Sequence, residues 1–417
     1  MPIAELDEEI VSHRLFADEA RARVVFARLR AEDPVHLTQA KGYPPFWAVT
    51  KSADVAEVER QNDRFLNAPL VFLLDCEEYA QRMKDTNGTG QYLRTLVNMD
   101  GAEHRAMRGL TQAWFMPHNL KRLDALVRSR ATEMVDLMAR TGECDFAQSI
   151  APWYPLRVIM SLLGMPEEHH PDLLRLTQQL LAPHEDQQQR SSADLERAKK
   201  QAFGAFATHF QALIAQRRAE PRDDLATLLV QAQIDGRPLG PQELLGYFLI
   251  VATAGHDTTA SSLASGLLAL LQHPDQLARL RREPALLGGA VEEILRWASP
   301  VRHFMRTAQE DYVLRGRQIR KGDYLMMCYP SASFDEEVFP DGHLFRIDRT
   351  PNRHLAFGFG VHACLGQHLA RMELKAFLAE FLARVEDVQI DGPVTLVASN
   401  QVSGPRHLPL RYTMAAS

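Results

Sequence analysis

The stretch HLAFGFGVHACLGQHLARMELKAFL, from His354 to Leu378, presents one cysteine on a glycine-rich turn ahead of a helical pattern. Gly358, Gly360 and Gly366 permit backbone conformations and close approaches that side chains forbid. Leu365, Leu369 and Met372 follow at helical spacing, which predicts that Cys364 sits at or just before a helix start. A helix N-terminus favours the thiolate over the thiol.

The rest of the chain narrows what that thiol could do. It has 417 residues, 46% hydrophobic and 24% charged, enough for a large core. A formal net charge of −6 argues against broad nucleic-acid binding. The acidic start MPIAELDEEIVSHRLF reads as neither a secretory signal nor a membrane anchor. Four cysteines, Cys76, Cys144, Cys328 and Cys364, show neither C-x-x-C nor C-x-x-C-H spacing, so a reducing, cytoplasmic setting is expected. Local chemistry then leaves an inert buried thiol, a nucleophile, a redox sensor or a fifth ligand to haem iron.

Most of the sequence reads as helix, with apolar residues three and four apart in DLLRLTQQLLAP, ERAKKQAFGAFATHFQALIAQRRAE and DQLARLRREPALLGGAVEEILRWAS. PFWAVT reads as a strand; YVLRGRQIRKGDYLMMCY and VQIDGPVTLVASN each read as a hairpin. The polar stretch 183–202 reads as an exposed loop leading into a helix. Helices and short strands interleave without repeats, which predicts one mainly α domain over 1–417 with small β-sheets, including a β-rich N-terminal region. The longest pattern runs from Gly240 to Pro274 and predicts one helix of roughly 45 Å. His256, Asp257, Thr258 and Thr259 interrupt its apolar run, which argues against a membrane span and for a buried helix with polar business at its middle.

The spacing around Cys364 shifts the balance among these fates through a resemblance. Phe357-x-x-Gly360-x-x-x-Cys364-x-Gly366 resembles the haem-binding signature of the cytochrome P-450 family, the haem-thiolate monooxygenases. Glu293-Ile-Leu-Arg296 resembles the family's E-x-x-R pair, Ala254-Gly255-His256-Asp257-Thr258-Thr259 its oxygen-groove motif, and His104 with Arg108 the H-x-x-x-R of bacterial members. ATAGHDTT, FMRTA, PNRHLAFG and CLGQHLA are similar to the bacterial monoterpenoid hydroxylases that oxidise α-terpineol.

The resemblance implies a triangular, mostly helical domain with non-covalent haem b and the Cys364 thiolate as axial ligand. It implies that Phe357 and Gly358 form the cysteine loop, and that His104, Arg108, Arg306 and His362 meet the haem propionates. His354 and Arg353 are weaker candidates for that role. Glu293 and Arg296 are implied to be a buried structural pair supporting the loop. Ala254 and Gly255 would leave room above the iron, Thr258 would take part in oxygen activation, and Asp257 would gate proton delivery. The expected pocket residues are Val71, Phe72, Leu73, Leu74, Val251, Ala254, Val301, Phe304 and Val402, an apolar set that suits a small hydrophobic substrate. The acidic Asp75, Glu77 and Glu78 beside them leave open a terpenoid, an alkylbenzene or something larger and polar. No flavin or nicotinamide fingerprint is present, so electrons are expected from a [2Fe–2S] ferredoxin and its NAD(P)H-dependent reductase. Arg105, Lys121, Arg122, His368 and Arg371 are candidates for the docking face. The alternatives are a monooxygenase for a steroid or polyketide, and a haem-thiolate sensor or isomerase that does not oxygenate.

Overall fold

The computed structural model describes residues 3–180 and 192–415, so residues 183–191 of the polar stretch 183–202 lie outside the described residues, and the remainder belongs to the helix Ser192–Ala219. The chain is mainly helical with small sheets, as its pattern predicts. Its contacts form two compact units: one of residues up to His104, His273–Cys364 and Leu396–Gly404, the other of Arg105–Gln272, Leu365–Thr395 and the chain from Pro405.

The first unit is organised by a five-stranded sheet, Val35–Thr38, Phe46–Val49, Tyr324–Cys328, His303–Ala308 and Phe65–Leu66 in spatial order. Phe46–Val49 and Tyr324–Cys328 run parallel; the other neighbours are antiparallel. Alternation of side chains across the pleat gives each strand two apolar faces. Phe46, Ala48, Met305, Met326 and Cys328 pack with Val25, Phe26 and Leu29 of the helix Glu19–Glu32. Val49, Leu325 and Met327 pack with Val55 and Val58 of the helix Ser52–Arg60. A sheet covered on both faces reads as continuous apolar runs, which is why YLMMC identifies itself as a strand.

The two hairpin expectations need correction. Tyr312–Leu314 does pair with Arg317–Ile319, but Tyr324–Cys328 leaves them to join the large sheet. Val385–Ile390 pairs with Pro409–Met414, which also pairs with Glu143–Asp145, instead of folding back on residues 395–396.

The second unit is built from helices, among them Asp124–Ala139, Trp153–Leu163, Ser192–Ala219 and Gln367–Arg384. Asp224 caps the helix Leu225–Gln231 through the Thr227 amide and pairs with the buried Arg217 at 2.5 Å, closing a helix turn with one carboxylate. The single helix expected from Gly240 to Pro274 is two, Pro241–Ala254 and Asp257–Gln272. The physical cause is local. The His256 ring donates from Nδ1 to the Ala252 carbonyl at 2.8 Å, and the Thr258 hydroxyl donates to the Ala254 carbonyl at 3.3 Å. Side chains thereby take carbonyls of the turn where the backbone ladder breaks.

Glu373, on Gln367–Arg384, is fully buried and neither carboxylate oxygen has a hydrogen-bond partner. Burial raises its pKa well above the ordinary value. The unfolded chain ionises this group near pH 4 while the folded chain resists, so its penalty is absent below that pH and grows as pH rises toward the folded value. Glu373→Met is expected to raise stability by about 1–3 kcal/mol at neutral pH, the cost of an unsatisfied buried polar group, and to flatten the loss of stability above pH 4. Urea unfolding at pH 4 and pH 7 checks this; equal midpoints for wild type and variant at pH 7 would refute it.

Candidate active site

Each unit carries one half of the chemistry expected from the sequence. In the first unit, Cys364 is exposed at the end of the loop that begins at Phe357, and its amide donates to the Phe357 carbonyl at 2.8 Å. The helix Gln367–Arg384 starts three residues later, as the spacing predicts. The loop rests on the end of the helix Ser52–Arg60. Gly360 has φ +69°, and a Cβ there would lie 2.5 Å from the Glu59 carbonyl oxygen, so only glycine fits.

Glu59 is the residue the sequence reading missed. Its buried carboxylate accepts from Arg306 Nη2 at 2.8 Å, from the Tyr329 hydroxyl at 2.5 Å and from the Phe359 amide at 2.6 Å. One carboxylate therefore joins the sheet strand His303–Ala308 to the cysteine loop. Burial pushes the Glu59 pKa up; Arg306, Tyr329 and Phe359 act against it by favouring the charged form. A sequence signal existed: Val55, Val58 and Glu59 stand at helical i, i+3, i+4 spacing, so Glu59 occupies the apolar stripe of its helix.

His104 is buried, and its ring lies 4.0 Å from that of His362. His362 Nδ1 accepts from the Asn67 side-chain amide at 3.3 Å, which places the ring proton on Nε2, 3.7 Å from Asp100. Burial works against the Asp100 carboxylate, but His362 and the Asn67 and Ala68 amides outweigh it and lower its pKa. Arg108 follows His104 by one helical turn on Gly101–Gln112. His354, a weaker candidate, is engaged elsewhere, with Glu292 at 3.2 Å and the Ala356 amide.

Glu293 and Arg296 form the expected buried pair: both side chains are fully buried and joined by two hydrogen bonds of 2.7 and 2.8 Å. Their reach differs from expectation. Arg296 donates to the carbonyls of Ser333, Gly342 and Leu344, and Glu293 accepts from the Arg346 amide, Arg349 and Asn352. The pair ties down the segment before the cysteine loop and not the loop itself.

The expected pocket residues divide. Leu73 and Leu74 are buried; Leu73 packs in the core between the sheet and the helix Glu19–Glu32, and both line a small apolar cavity with Phe72 and Met305. Phe72 and Phe304 are half-buried, with ring centroids 5.4 Å apart. Val301 and Val402 pair with each other in an isolated antiparallel bridge. Val71 is half-buried, and its carbonyl accepts from the Met305 amide at 2.9 Å.

In the second unit, Ala254, Gly255, Asp257 and Thr258 surround the helix break, with Ala254 exposed and Val251 buried. A Cβ on Gly255 would meet Ile159 Cγ1 at 2.6 Å, so the missing side chain admits a neighbouring helix. His256 is buried; with its Nδ1 proton given to Ala252, Nε2 accepts from the Thr177 hydroxyl at 3.2 Å. Burial holds this ring neutral, lowering its pKa, while Asp257 opposes. Burial raises the Asp257 pKa, and His256 opposes that in turn.

The residues of the first unit fit an iron porphyrin. An exposed sulfur on a pinned loop supplies a soft axial ligand, and His104, His362 and Arg306 supply buried basic groups for two carboxylates.

Comparison with known proteins bears on the same residues. The family model described as Cytochrome P450 matches residues 71–390. "Cytochrome P450-terp" of Pseudomonas sp is 40% identical over 96% of this chain and 95% of its own. A "Steroid C26-monooxygenase" of Mycolicibacterium smegmatis is 34% identical over 98% and 97%. The crystal structure of CYP108D1 from Novosphingobium aromaticivorans superposes with a TM-score of 0.91 at 38% identity, covering 99% of both chains.

Proposed function

The chain belongs to the cytochrome P450 family, and on that premise we propose that it hydroxylates a small hydrophobic substrate of the terpenoid or alkyl-aromatic class with dioxygen and two electrons from a [2Fe–2S] ferredoxin. It is a monooxygenase whose cofactor is haem b with a cysteine thiolate as axial ligand. The observation that carries the proposal is the acid–alcohol pair Asp257–Thr258 at a break between two helices.

Bound haem supplies the reductive activation of dioxygen, which thiolate ligation favours. Cys364 would hold it through sulfur, and His104, Arg108, His362 and Arg306 would offset the charge of its propionates. Glu59 positions Arg306 and the cysteine loop together. On the helix break, the Thr258 hydroxyl donates a hydrogen bond to the Ala254 carbonyl and keeps lone pairs to accept another. Asp257, with a pKa raised by burial, takes up a proton more readily than an exposed aspartate and can pass it on. A gas sensor or an isomerase needs no such relay.

The name of the Pseudomonas relative and the apolar Phe72, Phe304, Val301 and Val402 support a small hydrophobic substrate. The steroid C26-monooxygenases, similar over nearly the whole chain, favour a larger hydrophobic substrate as the second reading. Among the described residues no helix is long and apolar enough to cross a membrane. Exposed Arg105 and Lys121 support an acidic electron donor docking on the second unit. Arg122 contributes less, because it stacks on Trp114 at 3.8 Å and pairs with Asp223.

The test supplies the haem protein with NADH, a ferredoxin system and oxygen, after a spin-state screen of terpenes, alkylbenzenes and steroids. Hydroxylated terpene or alkylbenzene is expected; turnover of steroids alone selects the second reading. Thr258→Ala is expected to keep haem and the spin-state response but to lower product formed per NADH several-fold. An unchanged ratio would remove Thr258 from oxygen activation.

A further inference from the structure

A cavity of about 180 Å3 lies within the first unit. Its walls come from the helix Glu19–Glu32, from Trp297 and from the segment 330–343, and no residue of the cysteine loop or of the helix Ser52–Arg60 lines it. Phe16, Phe26, Trp297, Phe334 and Phe339 give it an aromatic wall. An apolar protein cavity of about 150 Å3 accepts benzene, so one small ring fits this volume.

The polar lining is unbalanced. Arg30 is matched by Glu336, with bonds of 2.6 and 2.9 Å, and also donates to Ser331. Arg302 is not matched. It is only 7% exposed, its Nη1 donates to the carbonyls of Ala298 and Ser299, and its buried Nε has no partner. No carboxylate of the described residues lies within ion-pair distance of it. Glu19 acts on it from farther away, and Arg23 repels it. Arg23 lies flat over the rings of Trp297 and Phe334, at 4.0 and 4.5 Å, and reaches Glu19 only at 3.9 Å. Burial lowers the pKa of both arginines, that of Arg302 to about 10. Two guanidinium groups thus share one carboxylate, at the limit of ion-pair distance from Arg23 and farther from Arg302. A buried charge without a partner is costly, and an anion placed between the two would relieve it.

We propose that this cavity binds a small planar aromatic carboxylate, its ring against the aromatic wall and its carboxylate on Arg302 and Arg23. A guanidinium fork matches a carboxylate in geometry as well as charge. Glu336 and Arg30 close the site without competing, because they satisfy each other.

Isothermal titration of the full-length, haem-loaded protein with sodium benzoate tests this, with benzamide and acetate as comparators and the Soret band recorded throughout. One saturable benzoate site is expected with the Soret band unmoved, and benzamide and acetate each bind at least tenfold more weakly. Arg302→Gln weakens benzoate at least tenfold, and Arg302→Lys keeps part of the affinity. Arg23→Gln, at the more open edge, gives the same loss if Arg302→Gln does not fold. The proposal is overturned by the absence of a saturable site, by benzamide binding as tightly as benzoate, by saturation that moves the Soret band, or by unchanged affinity in Arg23→Gln and a folded Arg302→Gln.

Discussion

Cys364→Ser is expected to abolish the thiolate signature of the reduced carbon monoxide complex and to bring monooxygenase turnover to background, while the chain stays folded. The side chain is exposed, so the substitution removes no packing. The loop is held by backbone and by Glu59: the 364 amide bonds to Phe357, the 359 amide bonds to Glu59, and Gly360 lies against the Glu59 carbonyl. None of these contacts uses the sulfur. A hydroxyl in its place cannot supply the electron-rich ligand that favours O–O cleavage. The other thiols are controls. Cys328 is buried, and burial raises its pKa, as it pushes Cys144 up to about 11, so neither presents a thiolate. Cys76 is exposed at a helix start but has no glycine loop and no buried basic groups attached to it. Serine at positions 76, 144 and 328 should leave the spectrum unchanged. A wild-type spectrum from Cys364→Ser would remove the thiolate reading altogether.

The cysteine loop and the E-x-x-R pair were legible because their chemistry is local: glycines, a thiol and two charges at fixed spacing. Partners distant in sequence were less so. Alternation announces that Tyr324–Cys328 is a strand but not that it pairs with Phe46–Val49, 275 residues and more away, so a nearby hairpin seemed sufficient. The break at 255–256 depends on which carbonyl the His256 ring reaches, and a helical pattern alone does not reveal that. Nor does it reveal that Gly255 lets Ile159 of a neighbouring helix approach. Glu59 was readable in principle, as an acid on an apolar stripe, but its partners Arg306, Tyr329 and Phe359 come from three later segments.

Glu293→Ala should be the most destabilising of the substitutions considered. Glu293 accepts five hydrogen bonds: two from Arg296, and one each from the Arg346 amide, Arg349 Nε and Asn352 Nδ2. Removing it leaves Arg296, whose side chain is fully buried, with carbonyl partners and no counter-charge. Arg349 keeps Asp341, so its loss is smaller. Breaking a buried pair by deleting one member costs about 3–5 kcal/mol, a large part of the roughly 5–15 kcal/mol that separates folded from unfolded chains. Glu293→Gln keeps the shape and part of the hydrogen bonding but loses the charge, so it should fall between wild type and alanine. Urea unfolding read by circular dichroism should therefore give midpoints in the order wild type, glutamine, alanine. Asp124→Ala removes an exposed i, i+4 pair with Arg128 and should leave the midpoint where it was. The contrast isolates burial as the cause, because both pairs are acid–arginine contacts on a helix. If alanine at 293 unfolds at the same urea concentration as wild type, the pair contributes nothing to holding residues 333–352, and the segment before the cysteine loop must be fixed by other means.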